Sequence, residues 1–160
     1  MVDKSLRRKI EALKRQKIVQ EKVVDLSNFR SLKERVSPII LVVDDDETVR
    51  YALKRMLETE GYKIILAQDG LELSKTLEST RLDMILLDIN LPWVDGWELC
   101  ELIKSHVHFK KVPLVIISAR REKEDVDRAM AAGADDYITK PFEMNQMLSV
   151  VQNFLMGALA

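Results

Sequence analysis

Three consecutive acids, Asp44-Asp45-Asp46, close one apolar run of the chain, and a fourth, Asp88, closes another. Two unit charges about 4 Å apart repel by roughly 4 kcal/mol at an effective dielectric near 20, so carboxylates gathered in one place require a cation. Magnesium suits such a cluster: it takes one or two carboxylates, keeps several waters and completes its octahedron with phosphate oxygens. A third apolar run ends in Ser118-Ala119, and Lys140 follows a fourth. An ammonium and a hydroxyl are the groups that the remaining oxygens of a phosphoryl group would need. These residue types therefore point to metal-assisted phosphoryl transfer. Each acid also has a plainer role available, because acids at strand ends often cap the next helix, and that role is expected of Asp46 before Glu47. Capping does not explain why Ser118 and Lys140 arrive at the same edge as the acids.

That convergence depends on the elements between these residues. From Pro38 onward, short runs of Ile, Val and Leu alternate with amphipathic stretches, the pattern of repeated strand–helix units around a parallel sheet. The expected strands are Ile39 to Asp44, Lys63 to Ala67, Met84 to Leu87, Leu114 to Ile117 and Tyr137 to Ile138. The expected helices run from Glu47 to Glu60, Leu71 to Ser79, Gly96 to Ser105, Glu122 to Ala132 and Glu143 to Leu155. Val49, Leu53, Met56 and Leu57 supply the apolar face of the first, and Gly61 and Gly133 stop the first and fourth. Unbroken apolar strands imply helices on both faces of the sheet. Right-handed crossovers then give an α/β, doubly wound, flavodoxin-like fold of five parallel strands in the order 2-1-3-4-5. Ligands of such sheets bind beyond the carboxyl ends of the strands, where the order reverses between strands 1 and 3. The acids stand at that point.

The 160 residues suffice for one core and an appendage. The apolar runs are too short to cross a bilayer and the N-terminus lacks the apolar stretch of a signal peptide, so a cytoplasmic location is expected. Cys100 is the only cysteine, which excludes an intrachain disulfide and a cysteine-rich metal site; it is expected to be a small core residue. Residues 1–37 carry 11 Lys/Arg against 5 Asp/Glu, net +6, while the remainder carries 14 against 21, net −7. A basic helical extension over 1–37 thus precedes an acidic domain over 38–160. Leu6, Ile10, Leu13 and Val24 form one helical stripe and Val19, Val23 and Leu26 an offset second one, too broken for a long coiled coil. A capping box from Ser31 to Glu34 is expected before Ser37-Pro38 extends the chain.

From Pro38 to about Leu155 the chain resembles the receiver domain of two-component response regulators. The resemblance rests on Leu41-Val42-Val43-Asp44-Asp45-Asp46-Glu47, on Leu86-Leu87-Asp88-Ile89-Asn90-Leu91-Pro92 with Asp95-Gly96, on Ile117-Ser118-Ala119, and on Gly133 through Phe142 around Tyr137-Ile138-Thr139-Lys140-Pro141. It implies that Asp88 accepts the phosphoryl group. Magnesium or manganese would be held by Asp45, Asp88 and the backbone carbonyl of Asn90, and by Asp44 through a water. Ser118 would bond the phosphoryl group, Ala119 leave it room and Lys140 pair with it, while Tyr137 rotates inward as Ser118 shifts. The Lys140-Pro141 bond would be cis. Asn90 and Arg120 stand where the family tunes the lifetime of the phosphoryl group. Trp93 departs from the small residues usual after the acceptor, and offers a partner contact, a lid or simply a half-exposed loop aromatic.

The resemblance further implies a signalling switch rather than an enzyme. Its partners would be a histidine kinase or histidine phosphotransfer protein and a downstream protein target, with a homodimer left open. No DNA-binding domain is expected in this chain and no membrane contact through the basic tail. A metal-dependent phosphatase with Asp88 as nucleophile is the alternative, but it would want a second acid two residues on, where Asn90 stands. A flavin-type phosphate cradle after strand 1 would be repelled by Asp44 to Asp46. His106 and His108 are expected to be solvent-side loop residues, and the methionines of the last helix to fill the core.

Overall fold

Each apolar run from Ile39 onward becomes a strand, and each amphipathic stretch a helix packed on the sheet. The computed structural model describes residues 37–157. Their elements are β1 (Ile39–Val43), α1 (Glu47–Thr59), β2 (Lys63–Ala67), α2 (Gly70–Ser79), β3 (Met84–Asp88), α3 (Gly96–Ser105), β4 (Leu114–Ser118), α4 (Lys123–Ala131), β5 (Asp136–Thr139) and α5 (Met144–Gly157). The sheet has the order β2-β1-β3-β4-β5 with every pair parallel, as expected. Of the basic extension over 1–37, only Ser37 falls within the described residues; its stripes and its Ser31–Glu34 capping box lie outside them.

Alternation along the strands divides the core into two layers. Leu41, Val43, Ile85, Leu87, Leu114 and Ile116 face α2, α3 and α4 and meet Leu73, Trp97, Cys100, Ile103 and Ala129. Ile40, Val42, Met84, Leu86, Val115 and Ile117 face α1 and α5 and meet Leu53, Leu57, Met147 and Val151. Cys100 is buried, and burial pushes its thiol up to about 11, which leaves it an inert core group. Met147 fills the core as expected, but Met144 and Met156 are exposed. The methionine expectation for α5 therefore holds for one of these three, because the helix turns the other two away from the sheet.

Acids set the starts of α1, α2 and α3. Asp46 accepts from the amides of Thr48 and Val49, Asp69 from Glu72 and Asp95 from Trp97 and Glu98. At the opposite end of the sheet Asp83 accepts from the Ile39 amide and Asp135 from the Leu114 amide, each at 2.8 Å, pinning two strand starts. The strand ends differ from expectation on four strands. β1 stops at Val43, leaving Asp44 in the loop, whereas β3 and β4 each run one residue further, to Asp88 and Ser118, and β5 gains a residue at each end, Asp136 and Thr139. The extra residues pair with neighbours, Asp88 with Ile117 and Ser118 with Thr139, and that pairing carries the ladder past the apolar run.

Candidate functional site

Asp44, Asp45 and Asp88 end up together because β1 and β3 are adjacent and in register, with Val43 opposite Leu87. One carboxylate oxygen from each lies within 4.8 Å of the others. Asp44 and Asp88 are buried and Asp45 is exposed. Lys140 reaches in from the loop after β5, its Nζ 2.7 Å from Asp44 Oδ2 and 3.1 Å from Asp88 Oδ2. The backbone aims this side chain: the Lys140 amide donates to the Ser118 carbonyl at 2.8 Å, and the Lys140-Pro141 peptide is cis, as expected. The other oxygens of the two buried acids accept from backbone amides, Asp44 Oδ1 from Asp46 at 2.9 Å and Asp88 Oδ1 from Asn90 at 3.0 Å.

Burial raises the Asp44 carboxyl above its ordinary 3.8, and the charge of Asp88 adds to this against the pull of its bonds to Lys140 and Asp46. Burial alone would lower the Lys140 ammonium, but its bond to Asp44 and the charges of both acids outweigh that and hold it above 10.5. Lys140 is therefore the resident counter-charge of the cluster, and its stabilising contribution persists below pH 10.5 and is lost as pH rises through its elevated value. Replacing it should expose the repulsion. In Lys140→Ala, urea unfolding of the metal-free protein at pH 7 should show a loss of about 2 kcal/mol, between the cost of breaking a surface pair and a buried one. Millimolar Mg2+ should recover part of that loss, and an equal loss with and without the ion would contradict a shared cation site.

The rest of the expected set lies on β4, β5 and the loops beside them. Ser118 is fully buried at the end of β4 and its Oγ accepts from the Arg120 amide at 3.2 Å, while Ala119 is exposed beside it. Asn90 is exposed, and its side chain accepts from Arg120 Nε at 3.1 Å, so these two loop residues touch each other. Tyr137 is half-buried and its hydroxyl donates to the Arg120 carbonyl at 2.7 Å. Burial raises that hydroxyl above its ordinary value, so it stays protonated and able to donate. Trp93 is half-buried over Gly70, and its indole N–H donates to the Gln68 carbonyl at 3.2 Å. It is anchored to the β2–α2 loop. His106 and His108 are exposed, as expected.

One buried charge beside the site went unread in the sequence. Arg50 is 7% exposed, and it donates to the Asp44 carbonyl at 2.8 Å and to Gln68 Oε1 at 3.3 Å. The signal was its spacing: Arg50 lies three and seven residues before Leu53 and Leu57 and so shares their buried face of α1.

All ligand atoms of the acidic cluster are oxygens, the set that suits Mg2+ or Mn2+. Residues 40–152 match the family model described as the response regulator receiver domain. Among curated proteins, the chain is 39% identical over 116 residues to Response regulator MprA of Mycolicibacterium vanbaalenii, covering 72% of this chain and 49% of that protein. The MprA of Mycobacterium sp. strain KMS is 38% identical over the same length. The chain thus spans about half the length of the curated relatives it matches. Among solved structures, a two-component response regulator from Clostridium difficile is 31% identical with a TM-score of 0.70, over 75% of this chain and 97% of that one. The receiver domain of a sensor histidine kinase from Pseudomonas aeruginosa PAO1, described with a magnesium ion coordinated in the active site cleft, is 28% identical with a TM-score of 0.68. That match covers 75% of this chain and 98% of the other. Sequence, topology and the acidic edge of the sheet agree, and the chain belongs to the response regulator receiver domain family.

Proposed function

We propose that this receiver domain takes a phosphoryl group on Asp88 in a reaction that depends on Mg2+ or Mn2+, and signals through protein contacts. The observation that carries this reading is the Lys140 ammonium between Asp44 and Asp88, with the Asp45 carboxylate beside them. A carboxylate of Asp88 attacks the phosphorus of a phosphohistidine on a histidine kinase or histidine phosphotransfer protein. The new O–P bond replaces the P–N bond and the imidazole leaves. Asp45, Asp88 and the Asn90 carbonyl would hold the metal directly and Asp44 through a water; when bound, the ion offsets charge on the phosphoryl oxygens. Lys140 and the Ser118 hydroxyl take the remaining oxygens, and Ala119 leaves them room.

The same contacts couple the site to the surface. Ser118 Oγ holds the Arg120 amide and Tyr137 holds the Arg120 carbonyl, so a shift of Ser118 toward the phosphoryl group moves the residue on which Tyr137 rests. The resulting population shift alters the face formed by α4, β5 and α5, where a downstream protein would bind. The basic segment before Pro38 is assigned to assembly or partner choice, and the location to the cytoplasm; no helix of the described residues is long and apolar enough to cross a membrane. The test is labelling by acetyl phosphate followed by intact-protein mass. Chelation of divalent metal should slow labelling at least about tenfold, and an unchanged rate would overturn the metal-dependent reading.

A further inference from the structure

A buried arginine needs a reason to be buried, and Arg50 has no carboxylate partner among the described residues to supply one. Its guanidinium instead grips the Asp44 carbonyl and the Gln68 side chain. Gln68 is oriented for this role: its Oε1 faces the cation while its Nε2 and its backbone amide both donate to the Glu72 carboxylate. The Gln68 carbonyl in turn accepts from Trp93, five residues beyond Asp88. One planar fork thereby ties two loops at the carboxyl edge of the sheet, a geometry that a lysine cannot reproduce, and the Trp93 indole ties the loop after Asp88 to them.

We propose that Arg50 is a positioning residue for the acid pair, setting through the Asp44 carbonyl the turn on which Asp44 and Asp45 stand, and through Gln68 and Trp93 the distance of that turn from the loop after Asp88. This inference rests on the proposed metal site. Asp44 has only one residue between its gripped carbonyl and Asp46, whose amide Asp44 Oδ1 accepts. Releasing the carbonyl therefore loosens the ligand turn itself. Outer partners of metal ligands commonly change affinity by about 10- to 100-fold when removed.

The experiment is Mn2+ binding to the full chain, followed by loss of the free ion's paramagnetic resonance signal. Arg50→Lys keeps the positive charge and so isolates geometry. It should bind Mn2+ about tenfold more weakly than the unsubstituted protein, and Gln68→Ala, at an exposed position, should weaken binding in the same direction by less. A lowered melting temperature with unchanged affinity in Arg50→Lys would mark Arg50 as structural only and overturn the proposal. So would tighter binding in Arg50→Met combined with normal binding in Arg50→Lys, which would reduce Arg50 to a counter-charge. Should the Arg50 variants fail to fold, Gln68→Ala decides: unchanged affinity there overturns the proposal. If the unsubstituted protein binds no Mn2+, the proposed function falls and this inference with it, whereas equal binding by the unsubstituted protein and Arg50→Lys removes the inference alone.

Discussion

Asp88→Asn should give a folded protein that takes no label from acetyl phosphate. Asparagine keeps the volume and one acceptor oxygen of the aspartate, so the bond from the Asn90 amide to this buried side chain survives. Lys140 keeps its shorter bond, to Asp44 at 2.7 Å. What disappears is the anionic oxygen that would attack phosphorus, and loss of a nucleophile costs several orders of magnitude in rate. Labelling should fall at least about 100-fold, to the background of the mass measurement. The substitution also removes one of three clustered negative charges. The Asp44 carboxyl, which the charge of Asp88 helps to hold high, should move back down, and stability at neutral pH should not fall. Undiminished labelling of Asp88→Asn would place the acceptor elsewhere, and a large drop in stability would mean that Asp88 serves the fold instead.

Gly96→Ala should be the most damaging small substitution near the site. A Cβ at Gly96 would lie 2.3 Å from the Ile89 carbonyl oxygen and 2.5 Å from the Ile89 Cα. Both are backbone atoms, so no side-chain rotation relieves the clash; either the start of α3 or the loop after Asp88 must move. Asp95 holds the start of α3 through its bonds to the Trp97 and Glu98 amides, and Trp97 is buried in the core. The overlap should cost about 3 kcal/mol and lower the Tm by roughly 10 °C for a domain of this size. Ile89 directly precedes Asn90, so the movement should also weaken Mg2+ binding if the Asn90 carbonyl is a ligand. At Gly70 the nearest atoms are those of the Trp93 ring, at 3.3 Å, and Gly70→Ala should cost less than about 1 kcal/mol. Equal unfolding curves for the two variants would refute this account.

The strands announced themselves because they are apolar on both faces. Ile39 to Val43, Met84 to Leu87 and Leu114 to Ile117 have no polar residue to blur the signal, and crossover handedness then leaves little choice of topology. Asp44, Asp45, Asp88 and Ser118 could be gathered from the sequence for the same reason, since each follows such a run, and Lys140 follows the short fifth strand. Their roles came from the resemblance, not from spacing. Chain order alone did not separate the acids by environment. Asp44 and Asp45 are neighbours in the loop after β1, yet one is buried against Lys140 and the other exposed.

Other features depended on contacts between segments far apart in the chain. Glycine at position 96 looks like any helix start until the Ile89 backbone is placed against it. Trp93 offered three readings, and its bond to the Gln68 carbonyl, which none of them named, required two loops 25 residues apart to meet. Arg50 shares the buried face of α1 with Leu53 and Leu57, and a helical pattern records which face a residue occupies but not what waits opposite it. The sequence by itself determined the elements, their order and the chemistry gathered at one edge of the sheet, because local periodicity and chain connectivity suffice for those. Only the tertiary structure decided which charges are buried, which glycine has no room for a methyl group and which loops are tied together, because burial and close approach are properties of pairs of segments brought together by folding.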